Sequence, residues 1–236
     1  MKDIYNDNTY LKNNPSWHEE DAPFKAGEIL KLLKPLADTV KTVCEIGCGT
    51  GEILVQLSRS LPQHIQFYGF DISQQAIEIA KTKETERLHC NCKNLAESNE
   101  SNLFDVLLVI DVIEHIDNYF SFLNGIANKG KYTIFHIPLD MSVWALFREK
   151  MLIESKQRVG HIHNFSEDFI KSILNDYGFK IIAQLYTPPT FETVSVKQKT
   201  INGLRKLLFR INKRFASKLM GGYSIMLLTE NNAAGS

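Results

Sequence analysis

The sequence predicts an α/β fold, a mostly parallel sheet with helices on both faces, and three observations carry that reading. Strand and helix patterns alternate from Lys41 to Leu185, the rhythm of parallel strands joined by helical crossovers. The first strand pattern enters a glycine-rich loop, V-C-E-I-G-C-G-T-G at Val43 to Gly51, and a helix pattern follows at once. The aliphatic run Val106 to Ile110, bounded by Asp105 and Asp111, has the continuous hydrophobicity of a strand covered on both faces.

The elements follow in order. Asp21 to Leu36 reads as a helix, preceded by the cluster Trp17, His18, Glu19, Glu20. Lys41 to Ile46, Ile65 to Phe70, Arg87 to Asn91, Phe104 to Ile110, Tyr132 to Ile137 and Lys180 to Leu185 read as strands. Between them, Glu52 to Leu61, Gln74 to Lys81, Tyr119 to Ala127 and Glu167 to Asp176 have helical spacing, the last capped by Ser166 and ended by Gly178. Met141 to Lys156 is an amphipathic helix outside the alternation. Ile201 to Leu219 is another, with Ile201, Leu204, Leu208, Ile211, Phe215 and Leu219 on one stripe that the acceptor side of the sheet is expected to cover. Tyr223 to Thr229 reads as the last strand and NNAAGS as a disordered tail.

The 236 residues and 27.0 kDa fit one domain. Its expected parts are an N-terminal helical lid (1–40), a core (41–187), a basic helical insertion (188–221), the last strand (222–229) and the tail (230–236). Apolar residues at 44% and charged residues at 23% exclude a disordered chain or a collagen. The 27 basic and 27 acidic side chains cancel, but residues 197 to 218 hold eight basic residues and no acid, leaving 19 basic against 27 acidic elsewhere. The N-terminus lacks the apolar region of a secretory signal, and no aliphatic run approaches the ~20 residues of a membrane span. A cytoplasmic protein is expected. Cys44, Cys48, Cys90 and Cys92 have no C-x-x-C spacing and read as reduced, buried thiols.

The glycine loop places Gly47, Gly49 and Gly51 between a strand and a helix N-terminus, where bare N–H groups can meet an anionic ligand. Glu52 stands where a dinucleotide fingerprint requires glycine, which argues against a nicotinamide cofactor. Glu45, near the end of a buried strand, suits the cationic group of a cofactor that would compensate its desolvation. Asp71 ends the next strand, where one carboxylate can accept from both hydroxyls of a ribose. His115, His136, His161 and His163 should gather over the carboxyl ends of the sheet, and a neutral imidazole there can take a proton from an attacking hydroxyl or ammonium.

With these residues in view, the sequence resembles class I S-adenosylmethionine (SAM) dependent methyltransferases. The resemblance rests on E-I-G-C-G-T-G-E (45–52), G-F-D-I-S (69–73), F-D-V-L-L-V-I-D-V-I-E-H (104–115) and G-H-I-H-N-F-S (160–166). It implies a Rossmann-like seven-stranded sheet with an antiparallel last strand. It also implies SAM as cofactor, its methionine part on the glycine loop beside Asp111, its ribose on Asp71, and its adenine against Ile72 and Asn94. The family more often has Asp at that last position.

Asp111, Glu114, His115 and His163 also look like the metal set of ubiquinone-pathway O-methyltransferases and small-RNA 2′-O-methyltransferases. Asp111 is one methylene shorter than the usual Glu, and the reading adopted is methyl transfer without metal. In the plainer view Glu114 and His115 only fix the loop.

The activity implied is methyl transfer to an oxygen, less favourably a nitrogen, of a small molecule, a glycan or a carrier-bound metabolite. His136 or His163 is expected as the base, with His115 supporting. Trp17 and His18 are expected to fold over the cofactor, and Trp144 and Phe147 to line the acceptor pocket. The basic helix leaves an anionic acceptor open, and a homodimer is open as well; DNA is not expected. Two rivals stand beside this reading: a SAM-binding module without turnover, and an RNA 2′-O-methyltransferase, against which stand the acidic body and the lack of a recognisable RNA-binding module.

Overall fold

A computed structural model describes residues 19–99, 104–188 and 196–231. Its centre is one seven-stranded sheet in the order β3-β2-β1-β4-β5-β7-β6, built from β1 (Thr42–Ile46), β2 (Gln66–Asp71), β3 (Leu88–Cys92), β4 (Phe104–Ile110), β5 (Gly130–Leu139), β6 (Phe179–Thr187) and β7 (Tyr223–Asn231). The first five strands pair in parallel, and β7 runs antiparallel to both β5 and β6. This is the Rossmann-like sheet with a reversed last strand that the resemblance implied.

Strand β4 shows how the sheet is held. Val106, Leu108 and Ile110 point into one core with Ile29 and Leu33 of α1 (Ala22–Leu33) and Leu54 and Leu57 of α2 (Glu52–Ser60). Leu107 and Val109 point into the other with Leu123 and Ile126 of α4 (Tyr119–Ile126) and Ile170 and Leu174 of α7 (Glu167–Asp176). The side-chain period of two thus feeds two apolar layers, each buried aliphatic side chain contributing roughly 1.5–3 kcal/mol. Between α2 and α4 lies α3 (Gln74–Lys81), capped by Ser73 through the Ala76 N–H at 3.3 Å.

Several features depart from expectation. The helix expected over Met141 to Lys156 is two pieces, α5 (Val143–Leu146) and α6 (Glu149–Val159), separated by Phe147 and Arg148. The basic helix is also two, α8 (Val196–Ile211) and α9 (Lys213–Met220), because Asn212 is extended and its side chain accepts the Phe215 N–H at 2.9 Å, starting a new helix. Ser166 holds the N-cap position of α7 but makes no side-chain cap bond. Cys92 is exposed at the end of edge strand β3, unlike the buried Cys44, Cys48 and Cys90. The α8–α9 pair leans on the end of β7, where Phe209 stacks on Tyr223 with ring centroids 4.9 Å apart. The last strand runs on through Glu230 and Asn231, which were expected to begin the tail; the rest of the tail, and Trp17 with His18, lie outside the described residues.

Chain direction reverses between β1 and β4: from β1 the chain continues toward β2 and β3, from β4 toward β5. The crevice over their carboxyl ends is where open α/β sheets bind ligands.

Candidate active site

A cleft of about 1010 Å³ opens over that crevice. Its floor is the glycine loop. Gly47, Gly49 and Gly51 take φ of +74°, +53° and +76°, backbone that a side chain would strain. At Gly47 an added Cβ would also lie 2.7 Å from the Val112 side chain, so the turn after β1 can pass the turn after β4 only as glycine. Gly51 then caps α2 from the left-handed region.

Asp71 secures the loop from β2. Its two oxygens accept from the Gly49 and Ser73 N–H groups, each at 2.8 Å, and burial, opposed by these bonds, raises its pKa. Each carboxylate oxygen keeps a second lone pair for another donor. Glu45, at the end of β1, is 2% exposed, and its Oε2 has no hydrogen-bond partner. Burial pushes its carboxyl well above the usual range, with Lys25 opposing. Its Oε2 is a buried acceptor without a donor on the wall of the cleft.

Asp111 follows β4 in the left-handed region, φ +53°, rare for a residue with a side chain. Its carboxylate lies 2.8 Å from the Lys25 Nζ and 2.6 Å from the His136 Nδ1. Burial alone would raise its pKa, but the His136 and Lys25 charges outweigh it and hold the carboxyl far below the ordinary range. Asp111 in turn raises the Lys25 pKa against burial. Lys25 was missed in the sequence. The signal was its place on the buried stripe of α1 between Ala22, Ala26 and Ile29, an ammonium among apolar neighbours.

The N-terminal turn is tied to the same loop. Glu19 accepts from the Thr50 hydroxyl at 2.5 Å and from Lys83 at 2.6 Å, while Lys83 also reaches Glu52 at 2.9 Å.

Of the expected site residues, Glu45, Gly47, Gly49, Asp71, Ile72, Asn94, Asp111 and His115 line this one cleft, while Gly51 supports it from the helix start. Ile72 is 56% exposed, offering an apolar face to the opening.

The histidines divide. His136 is 5% exposed and does not line the cleft; its Nδ1 meets Asp111 and its Nε2 the Thr187 hydroxyl at 2.8 Å. His163 also lies off the cleft, its Nε2 donating to the Ile116 carbonyl at 2.9 Å and its ring edge-on to Tyr119. The two rings expected to supply the base are therefore turned to other work. His115 and His161 do line it, ring centroids 5.0 Å apart. Their Nδ1 atoms donate to the Gly160 carbonyl at 3.1 Å and to the Asp140 carboxylate at 2.8 Å.

Glu114 is fully buried beneath them, both carboxylate oxygens without a hydrogen-bond partner, and burial together with Asp111 pushes its pKa well up. Glu114, His115 and His161 bring three ligand atoms within 4.8 Å of one another. The set that comes together has His161 where His163 was expected, and Asp111 is engaged elsewhere. Trp144 and Phe147 do not line the cleft, and Phe147 is 84% exposed.

A parallel sheet with one reversed strand, a glycine loop at the switch point and an acid ending the second strand define a Rossmann-like architecture suited to a nucleoside-bearing ligand. A family profile described as a methyltransferase domain matches residues 17–184, and the chain belongs to that family, SAM being its methyl donor. Among curated relatives, the carboxy-S-adenosyl-L-methionine synthase of Helicobacter pylori (strain ATCC 700392 / 26695) is 23% identical over 218 residues, 83% of this chain and 86% of that protein. Among solved structures, magnesium protoporphyrin IX methyltransferase from Synechocystis PCC 6803 with bound SAH superposes with a TM-score of 0.59 at 17% identity, over 94% of this chain and 86% of that one. A SAM-dependent methyltransferase from Archaeoglobus fulgidus gives 0.58 at 20% identity, over 89% and 94%.

Proposed function

We propose that this methyltransferase alkylates an oxygen, in preference to a nitrogen, of a small-molecule acceptor, with His161 as general base and His115 beside it. The observation that carries the reading is the His115–His161 pair on the cleft wall, each Nδ1 pinned as a donor. In the neutral His161 ring that fixes the tautomer and turns the basic Nε2 away from Asp140. Asp140 then stabilises the ring once it is protonated.

SAM supplies the electrophilic methyl group. Glu45 and Asp111 would hold its charged methionine end, the glycine loop its backbone-like atoms, Asp71 the ribose hydroxyls, and Ile72 and Asn94 the adenine. The partnerless Glu45 Oε2 supports that fit. The reaction is an in-line displacement, so the chain's work is alignment and exclusion of water. His136 is a positioning residue in this scheme, holding Asp111 in its left-handed turn.

The test is turnover with candidate hydroxylated acceptors followed by product mass. A methylated acceptor supports the reading. A donor that itself gains mass points instead to the synthesis named for the H. pylori relatives. His161→Ala should lower kcat by about a hundredfold or more with little change in SAM affinity.

A second reading is favoured by the convergence of Glu114, His115 and His161. In it those residues would hold a divalent ion, which would supply Lewis acidity toward the acceptor hydroxyl, while Gly160 and Asp140 orient the two rings from behind.

A further inference from the structure

The stripe expected to lie against the sheet is split: Leu208 and Leu219 pack against Ala216, Met220 and Tyr223, while Leu204, Ile211 and Phe215, with Leu207 beside them, face outward; the Ile201 side chain lies outside the described residues. Leu204 is 49% exposed, Leu207 55%, Ile211 73% and Phe215 55%. On α8, Leu204, Leu207 and Ile211 stand at i, i+3 and i+7, one face of the helix. Helix α5 packs against α9, and at its end Leu146 (63%) and Phe147 (84%) are exposed as well. Interior packing explains none of these six. The same stretch carries the eight basic residues of 197–218 and no acid.

A second observation points to an anion. Arg205 is half-buried between α8 and the Gly221–Gly222 turn, its Nη2 on the Met220 carbonyl at 3.3 Å and its Nε buried without a hydrogen-bond partner. Arg148, which follows Phe147, is near enough to repel it. Two like charges side by side at this face are a geometry that an anionic oxygen would relieve.

We propose that the face formed by α5, α8 and α9 docks on an anionic lipid bilayer, the exposed apolar residues entering the interface and Arg205, Arg148 and Arg210 meeting lipid phosphates. An amphipathic helix with large apolar residues on one face and Lys or Arg alongside is the form that lies in a membrane surface. Anionic headgroups complement the segment's charge. Four acids oppose the field: Asp168 pairs with Arg214 and Lys218, Glu167 lies 4.0 Å from Arg214, Glu154 pairs with Lys150 on α6, and exposed Glu149 follows Arg148. Arg205, Arg148 and Arg210 are outside these pairs. No helix of the described residues is long and apolar enough to cross a membrane, so the contact is peripheral.

Co-sedimentation of the full chain with vesicles tests this. Phosphatidylcholine vesicles with about one-third phosphatidylglycerol should pellet the protein at least about tenfold better than phosphatidylcholine alone, and rising salt should weaken the effect. Ile211→Ser with Phe215→Ser, and separately Arg210→Glu, should each lower binding about tenfold while melting temperature and SAM affinity stay as in the parent chain. Equal partition onto both vesicle types, no partition, or variants that bind like the parent overturns the proposal. So does light scattering that finds a dimer split by the double variant, which assigns the face to a second copy of the chain.

Discussion

The carboxylate of Asp111 lies 2.6 Å from the His136 ring, on a backbone turned to φ +53°. With Lys25 on its other oxygen at 2.8 Å, this pair fixes the end of β4 where the methionine end of the cofactor is proposed to sit. A group whose pKa is depressed by folding adds stability above its ordinary pKa and loses it as pH falls toward the depressed value. Asp111→Asn should therefore cost on the order of 2 kcal/mol at neutral pH. The gap from the parent should persist down to the ordinary value of 3.8 and shrink only below it. Thermal melts across acidic pH read this directly; a gap that closes near neutrality contradicts the assignment.

Glu45 has the opposite sign. Its carboxyl is raised by burial, so stability is greatest below the ordinary 4.5 and declines as pH rises through the raised value. Glu45→Gln should stabilise the free protein in that upper range. Arrival of an ammonium should ionise Glu45, so SAM binding should release up to about one proton. Calorimetry in buffers of differing ionisation enthalpy measures it, and the Gln variant should show no release.

Gly47→Ala places a Cβ at positive φ and against Val112. A cost of about 1–3 kcal/mol in stability is expected, with SAM affinity lost beyond detection. A variant that binds normally would remove the loop from the site.

Chelation separates the two readings of the imidazole pair. Turnover is expected to survive exhaustive EDTA, with His161→Ala impaired and His163→Ala near the parent chain. Activity lost to EDTA and restored by magnesium, manganese or zinc would instead make Glu114, His115 and His161 metal ligands.

Much of this was legible in the chain because it is local. Gln74 to Lys81, Phe104 to Ile110 and Glu167 to Asp176 have the bounds their periodicity predicts, since each combines an apolar pattern with a clear stop. The breaks at Asn212 and after Leu146 were not legible: one depends on a side chain choosing a cap, the other on how α5 seats against α9. The glycine loop, Glu45, Asp71 and Asp111 could be placed because they lie at or just beyond the ends of strands. The choice between His161 and His163 could not. Two residues apart on an irregular loop, they are sorted only by Asp140 and Ile116, acceptors distant in sequence. Lys25 similarly gains its meaning from Asp111, across the fold.

The central claim, a SAM site held by the glycine loop and Asp71, is tested most directly by calorimetric titration of SAM and its demethylated product into the full chain and the Asp71→Ala variant. The account predicts saturable one-to-one binding to the parent chain and affinity weakened by about ten- to a hundredfold in the variant, the cost of a lost buried acceptor. No binding to the parent chain, or equal affinity in both, would contradict it.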